Sequence, residues 1–180
     1  MKKLGVRSLI YKPMLITGAS NISIGARTMI RDFSRIEVIN RPNVGWSPDL
    51  FIGDNVNIEQ NVHIICQCSV KIGSNVSITG FSVIVDTYHP IDHPEKLPKI
   101  GSRLPTKRTF VEIGDGTFIG MHSIIEPNVK IGKGCVIAAG SIVRSDIPDY
   151  SMAAGMPAKI VAQYNFTSNG WIYFSKNNND

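Results

Sequence analysis

The chain has 180 residues, a net charge of +5, 43% hydrophobic residues and only 8% aromatics. That length supports one domain with a sizeable core, and no apolar run approaches the length of a membrane span. No Lys/Arg cluster exceeds a dipeptide and no aromatic residues interleave a basic stripe, so the positive balance points to a small anionic ligand more than to nucleic acid.

The opening, residues 1–18, is basic at its start but has no apolar stretch long enough for a signal peptide. A cytoplasmic location is therefore expected. Next comes a sixfold period of aliphatic residues at Ile24, Ile30 and Ile36. A break at residues 40–50 carries Trp46. The period resumes at Ile52, Ile58 and Ile64, and again at Ile72, Ile78 and Ile84 after a two-residue bulge near Cys66–Val70. Its longest run is Ile113, Ile119, Ile125, Ile131, Ile137 and Val143. A period of six fits neither the 3.6 of a helix nor simple strand alternation. It marks a parallel β-helix of hexapeptide repeats. Three hexads close one triangular coil, and the runs count out about five coils, a prism roughly 25 Å tall. Corners need residues that tolerate φ > 0, and Asn55, Asn61, Gly73, Asn75, Gly114 and Asn128 stand there. Cys66, Cys68 and Cys135 are an odd set without metal-like partners, so reduced thiols and no metal site are expected.

Between Ile84 and Ile113 the phase is lost. Pro90, Pro94, Pro98 and Pro105 fall in this stretch, and proline at that density cannot continue a sheet ladder. Residues 86–110 are therefore expected to form a long excursion from the prism, of the kind that carries function. The excursion holds His89 and His93 with Asp86 and Asp92. After Val143 the chain reads Ala-Gly-Met-Pro-Ala-Lys at 154–159, then turns aromatic over 164–174 and breaks the hexad phase. The β-helix is assigned to residues 1–165. Residues 166–180 are expected as a tail packed on it, with Lys176–Asp180 frayed.

These features together resemble the hexapeptide-repeat acyltransferases, a left-handed β-helix family that uses acetyl-CoA. The hexads carry the fold likeness. Asp86-Thr-Tyr-His89-Pro90 is similar to the Thr-x-His-Pro motif of galactoside and maltose O-acetyltransferases. Residues 138–159 are similar to the family's closing segment, from Gly-Ser-x-Val to Ala-Gly-x-Pro-Ala-Lys. The likeness covers about residues 20–165 and is nearest to the O-acetyltransferases of lipopolysaccharide and capsule sugars. It implies acetyl-CoA as co-substrate with no permanently bound cofactor, a sugar or glycan acceptor, and a homotrimer whose sites lie between subunits.

The chemistry has its own requirements. An alcohol attacking a thioester must lose a proton, and a neutral imidazole within reach is the usual base. His89 is the candidate base, at the position of the family's catalytic histidine. Its other ring nitrogen needs orienting by a carboxylate or a backbone carbonyl, and Asp86, three residues earlier, is the candidate. Backbone N–H groups of Gly120 or Met121 are the available oxyanion donors. By resemblance, Phe118, Met121, Ala139, Arg144, Ser145 and Lys159 line the acetyl-CoA groove, and Glu59 and Gln67 face the acceptor. From their own chemistry, Trp46 is a candidate to stack on a sugar ring or to pack, and His93 a candidate to contact acceptor or solvent. The alternatives are an N-acetyltransferase acting on a sugar-nucleotide amine, and a non-enzymatic β-helix binding module.

Overall fold

The computed structural model describes residues 1–41 and 44–174. Eighteen short strands wind into six coils of three. Coil 1 is β1 (Lys3–Leu4), β2 (Leu9–Ile10) and β3 (Leu15–Thr17). Coil 2 is β4 (Ile22–Ile24), β5 (Met29–Ile30) and β6 (Arg35–Val38); coil 3 is β7 (Asp49–Ile52), β8 (Asn57–Ile58) and β9 (His63–Cys66). Coil 4 is β10 (Ser69–Ile72), β11 (Ser77–Ile78) and β12 (Val83–Val85); coil 5 is β13 (Val111–Ile113), β14 (Phe118–Ile119) and β15 (Ile124–Ile125). Coil 6 is β16 (Val129–Ile131), β17 (Val136–Ile137) and β18 (Ile142–Val143). Every third strand pairs in parallel with the one above it, which gives three flat faces: β1-β4-β7-β10-β13-β16, then β2-β5-β8-β11-β14-β17, then β3-β6-β9-β12-β15-β18. The chain is the parallel β-helix that the sixfold period implies.

The register explains the period. Ile24, Ile52, Ile72, Ile113 and Ile131 stand directly over one another, as do Ile30, Ile58, Ile78, Ile119 and Ile137, and Ile36, Ile64, Ile84, Ile125 and Val143. All are buried. Each fully buried isoleucine contributes about 1.5–3 kcal/mol of transfer free energy, and in identical shapes they stack without voids. The structure adds a coil at the start: Leu4, Ile10 and Ile16 pair over Ile24, Ile30 and Ile36 in the same phase.

Corners divide into two kinds. Asn55, Asn61, Asn75 and Asn128 adopt the left-handed conformation, with φ between 54° and 62°. Gly73 and Gly114 do not. They are glycine because coils touch there: a Cβ on Gly73 would lie 2.8 Å from Asp115 N, and one on Gly114 2.5 Å from Lys133 N. The expectation of φ > 0 at these two positions is thus corrected to a requirement for close approach. Carboxylates in the corners then take backbone N–H groups from the coil above, as Asp54 does from Ala26 (2.7 Å) and Asp115 from Ser74 (2.7 Å).

Below coil 6 the second face continues. β19 (Ser151–Gly155) pairs in parallel with β17, and β20 (Ala158–Asn165) and β21 (Gly170–Tyr173) fold back antiparallel. This hairpin runs through the point where the tail was expected to begin. Tyr164 packs edge-on against Phe166 and Trp171, and Phe166 against Tyr150. The end expected to fray, Lys176–Asp180, lies outside the described residues. Cys66, Cys68 and Cys135 are buried thiols, and burial pushes the Cys66 and Cys135 thiols well above their ordinary range. Among the described residues no helix is long and apolar enough to cross a membrane.

Candidate active site

The excursion starts where β12 ends. Strand alternation puts Ile84 inside and Val85 outside, so Asp86 again points inward, and it is fully buried. Its carboxylate accepts three backbone N–H bonds, from Gln67 (2.7 Å), Cys68 (2.7 Å) and Ser69 (2.6 Å). Gln67 and Cys68 form the two-residue bulge between β9 and β10, where no ladder partner exists and a buried N–H needs an acceptor, and Ser69 opens β10. Burial pushes the Asp86 carboxyl above the usual carboxylate range, against the downward pull of the three donors. Asp86 therefore holds the corner from which the excursion leaves. The expectation that it orients His89 is corrected.

Gln67 is buried beside it and fastens both ends of the excursion. Its Oε1 accepts from Thr87 Oγ1 (2.5 Å), and its Nε2 donates to the Pro105 carbonyl (3.2 Å). With 1% of its surface exposed, Gln67 has no surface to offer an acceptor, so that assignment is corrected too. Trp46 sits against the same corner, its indole N–H directed at the Gln67 carbonyl at 3.4 Å.

The group that orients His89 is a backbone carbonyl. His89 Nδ1 lies 2.7 Å from Arg103 O. A carbonyl only accepts, so Nδ1 carries the proton and Nε2 presents its lone pair. That is the tautomer a general base requires. Arg103 is itself anchored through its guanidinium, which donates to the carbonyls of Pro98 (2.7 Å), Asp92 (2.5 Å), His93 (3.0 Å) and Lys96. One side chain thus ties four points of a proline-rich loop, and the same residue's carbonyl sets the imidazole. The sequence reading missed Arg103. The available signal was an arginine in a segment whose prolines remove backbone donors and leave carbonyls unpaired.

His89 lines a cavity of about 480 Å³ between the excursion and the third face, with Arg35, Glu37, Ile65, Thr87, Tyr88 and Leu104. Arg35 and Glu37 form an ion pair on this wall. His93 lies outside the cavity lining, in a left-handed turn and 3.6 Å from Glu95. Glu59 follows β8 on the second face and accepts from Asn57 Nδ2 at 2.7 Å. Within one chain, Glu59 and His93 are not brought to His89.

The residues matched to acetyl-CoA fall into two groups. Phe118, Met121 and Ala139 line one apolar cavity of about 350 Å³ with Thr79, Gly80, Gly120 and Ala138, at the corner joining the second and third faces. Gly120 must be glycine there, because a Cβ would lie 2.4 Å from Ala139 N. Its N–H is committed to Ile137 O (2.8 Å), so among the two oxyanion candidates only Met121 N–H stays without a partner among the described residues. Lys159, on β20 opposite Ala154, extends the second face beyond this cavity. Arg144 and Ser145 follow β18 at another corner, where Arg144 Nε donates to Glu126 Oε2 at 2.9 Å. One chain thus separates His89 from the apolar cavity, and both from Arg144 and Ser145.

Comparison with known proteins agrees with this architecture. Residues 110–145 match the family model described as bacterial transferase hexapeptide (six repeats). The chain is 37% identical over 120 residues to galactoside O-acetyltransferase of Escherichia coli, covering 67% of this chain and 57% of that protein. It is 35% identical over 126 residues to the putative lipopolysaccharide biosynthesis O-acetyl transferase WbbJ of the same organism, covering 68% and 64%. The matched region thus spans less than two thirds of these relatives. The fold also matches AntD, an N-acyltransferase from Bacillus cereus solved with dTDP and 3-hydroxybutyryl-CoA, with a TM-score of 0.75, 20% identity and coverage of 93% and 85%.

Proposed function

We propose that this hexapeptide-repeat chain is an acetyl-CoA-dependent O-acetyltransferase that acts on a sugar hydroxyl in surface-polysaccharide biosynthesis, in the cytoplasm where acetyl-CoA is supplied. The observation that carries the reading is the His89 imidazole, held through Nδ1 by the Arg103 carbonyl, with Nε2 left as a base beside a cavity of sugar size. The kinship with two O-acetyltransferases supports the same chemistry.

The acceptor hydroxyl attacks the thioester carbonyl carbon while His89 Nε2 takes its proton. The tetrahedral oxyanion that forms needs a preorganised donor, and Met121 N–H is available for it. The C–S bond then breaks, the imidazolium returns its proton to the sulfur, and CoA leaves as a thiol. No covalent enzyme intermediate is required. Phe118, Met121, Ala138 and Ala139 suit the pantetheine arm, since small residues let it approach the backbone, and Lys159 suits a phosphate. The His89 cavity and the apolar cavity occupy different parts of one prism. A homotrimer in which one chain's excursion meets its neighbour's apolar corner would unite them.

The test is an acceptor screen that reads thiol release from acetyl-CoA, with mass measured by light scattering. His89→Ala should lower turnover on a hydroxyl acceptor by about 10²–10⁴-fold and leave the trimer and CoA affinity in place. Near-normal turnover in that variant would remove His89 as base. Turnover retained only on an amine acceptor would replace this reading with an N-acetyltransferase.

A further inference from the structure

Charge is unevenly distributed along the prism. Residues 1–31 contain Lys2, Lys3, Arg7, Lys12, Arg27 and Arg31 and no acidic residue; the first is Asp32. This stretch carries +6, whereas the other 149 residues together carry −1. It forms coil 1 and the first two strands of coil 2, and β1, β2 and β3 each terminate their face of the prism. The basic excess is therefore gathered at one end of the molecule.

Little of that charge is neutralised. Lys2 pairs with Asp49 at 2.9 Å, and the Arg31 guanidinium lies over the Tyr11 ring at 5.4 Å. Among the described residues no ion pair takes Lys3, Arg7, Lys12 or Arg27, and all four are exposed. Arg7 and Arg27 are stacked at one corner, both with φ > 0, and Arg27 N–H donates to Val6 O at 2.9 Å.

Aliphatic side chains stand among these cations. Leu4 is 52% exposed, Val6 74%, Leu9 53% and Met14 59%. Leu4 occupies a ladder position over Ile24, so one of the core ladders runs out to this exposed surface. Aliphatic tips surrounded by cations, of which only Lys2 has an acidic partner, complement an anionic lipid surface: the cations meet phosphate headgroups and the side chains enter the boundary of the acyl region. The free strand edges limit the depth, because their unpaired backbone groups need water or headgroup partners. A second copy stacked end to end would oppose one basic end to another.

We propose that the coil 1 end of the prism docks on an anionic phospholipid membrane. This goes beyond the catalytic reading and does not depend on it. Docking there would leave the His89 excursion, which departs from coil 4, facing along the side of the prism above the lipid.

The experiment is co-sedimentation of the full chain with phosphatidylcholine vesicles, with and without phosphatidylglycerol, at low and high salt. Binding should require phosphatidylglycerol and be released by salt. At about 1 kcal/mol per cation near the surface, or roughly fivefold, the triple variant Lys3→Gln, Arg7→Asn, Lys12→Gln should bind about a hundredfold more weakly. Removing equal charge from the first face with Lys71→Gln, Lys130→Gln and Lys133→Gln should change binding less than about threefold, because those residues lie away from the contact. Val6→Ser with Leu9→Ser should weaken binding at high salt as well. No binding to phosphatidylglycerol vesicles at low salt would overturn the proposal. So would equal loss in the two triple variants, or end-to-end self-association that excludes vesicles. Melting temperatures of the variants identify any that fail to fold; Val6 and Lys12 singles then repeat the comparison.

Discussion

Replacing Asp86 by asparagine separates two roles that this residue could have. In the structure its carboxylate accepts from Gln67, Cys68 and Ser69, with Cys68 and Ser69 sharing Oδ2. Asparagine keeps one acceptor oxygen and replaces the other with an NH₂ group that faces two N–H donors. If the oxygen stays on the Gln67 side, two buried N–H groups lose their partner, at about 1–3 kcal/mol each. Relief of the buried charge returns part of this, so the net loss should be roughly 2–4 kcal/mol. Sign matters for the pH dependence. Burial raises the folded-state pKa of Asp86, so this group's differential stability is present below the ordinary carboxylate pKa and is lost as pH rises through the folded value. The penalty of Asp86→Asn should therefore be larger in acid than at neutral pH, where the buried charge that asparagine removes is costlier. Urea unfolding at two pH values measures both. A midpoint unchanged from the parent, with turnover reduced, would show that Asp86 acts on His89 and that the capping role is wrong.

Arg103→Ala should leave the prism folded but lower kcat by about 10–100-fold, because the carbonyl that sets His89 loses its anchor; Arg103→Lys, with a point charge in place of the fork, should recover little. A loss confined to KM would contradict this positioning role. Lys159→Ala should weaken acetyl-CoA binding by about 1–3 kcal/mol, measured by calorimetry, whereas Arg144→Ala should do less because Glu126 already holds that guanidinium; the reverse order would move the phosphate site to the other corner. Native protein should show no rapid thiol reaction with a disulfide reagent at mildly alkaline pH, and all three cysteines should react after denaturation, since they are buried and burial raises the Cys66 and Cys135 thiols.

The ladder was legible because each coil contributes the same residue type to the same slot. Coil 1 was also written in the chain, as Leu4, Ile10 and Ile16, but a leucine in the ladder and the off-phase apolar residues Val6, Leu9, Met14 and Leu15 hid the phase. Asp86 was misread because nearness in sequence to His89 was taken for nearness in space. Strand alternation from Ile84 placed it inside the prism all along. Gln67 went the same way: its resemblance to an acceptor position carried no information about the bulge that buries it. Arg103 could not be found by period or motif, since its partners are carbonyls and every residue has one. His89, by contrast, stands on an excursion whose prolines announce it.

The 25-residue excursion leaves the prism after Val85 and returns at Val111, yet β10 pairs with β13 and Ile84 stands over Ile125 as if nothing intervened. Coils contact only their neighbours, so the ladder is indifferent to how much chain bulges out between them, and closing a longer loop costs only slowly rising entropy. The prism is in this sense a rack with open slots. A segment can be lengthened, shortened or exchanged at coil 4 while the isoleucines beneath it keep their places, so that, on the function proposed above, acceptor preference could change without renegotiating the core.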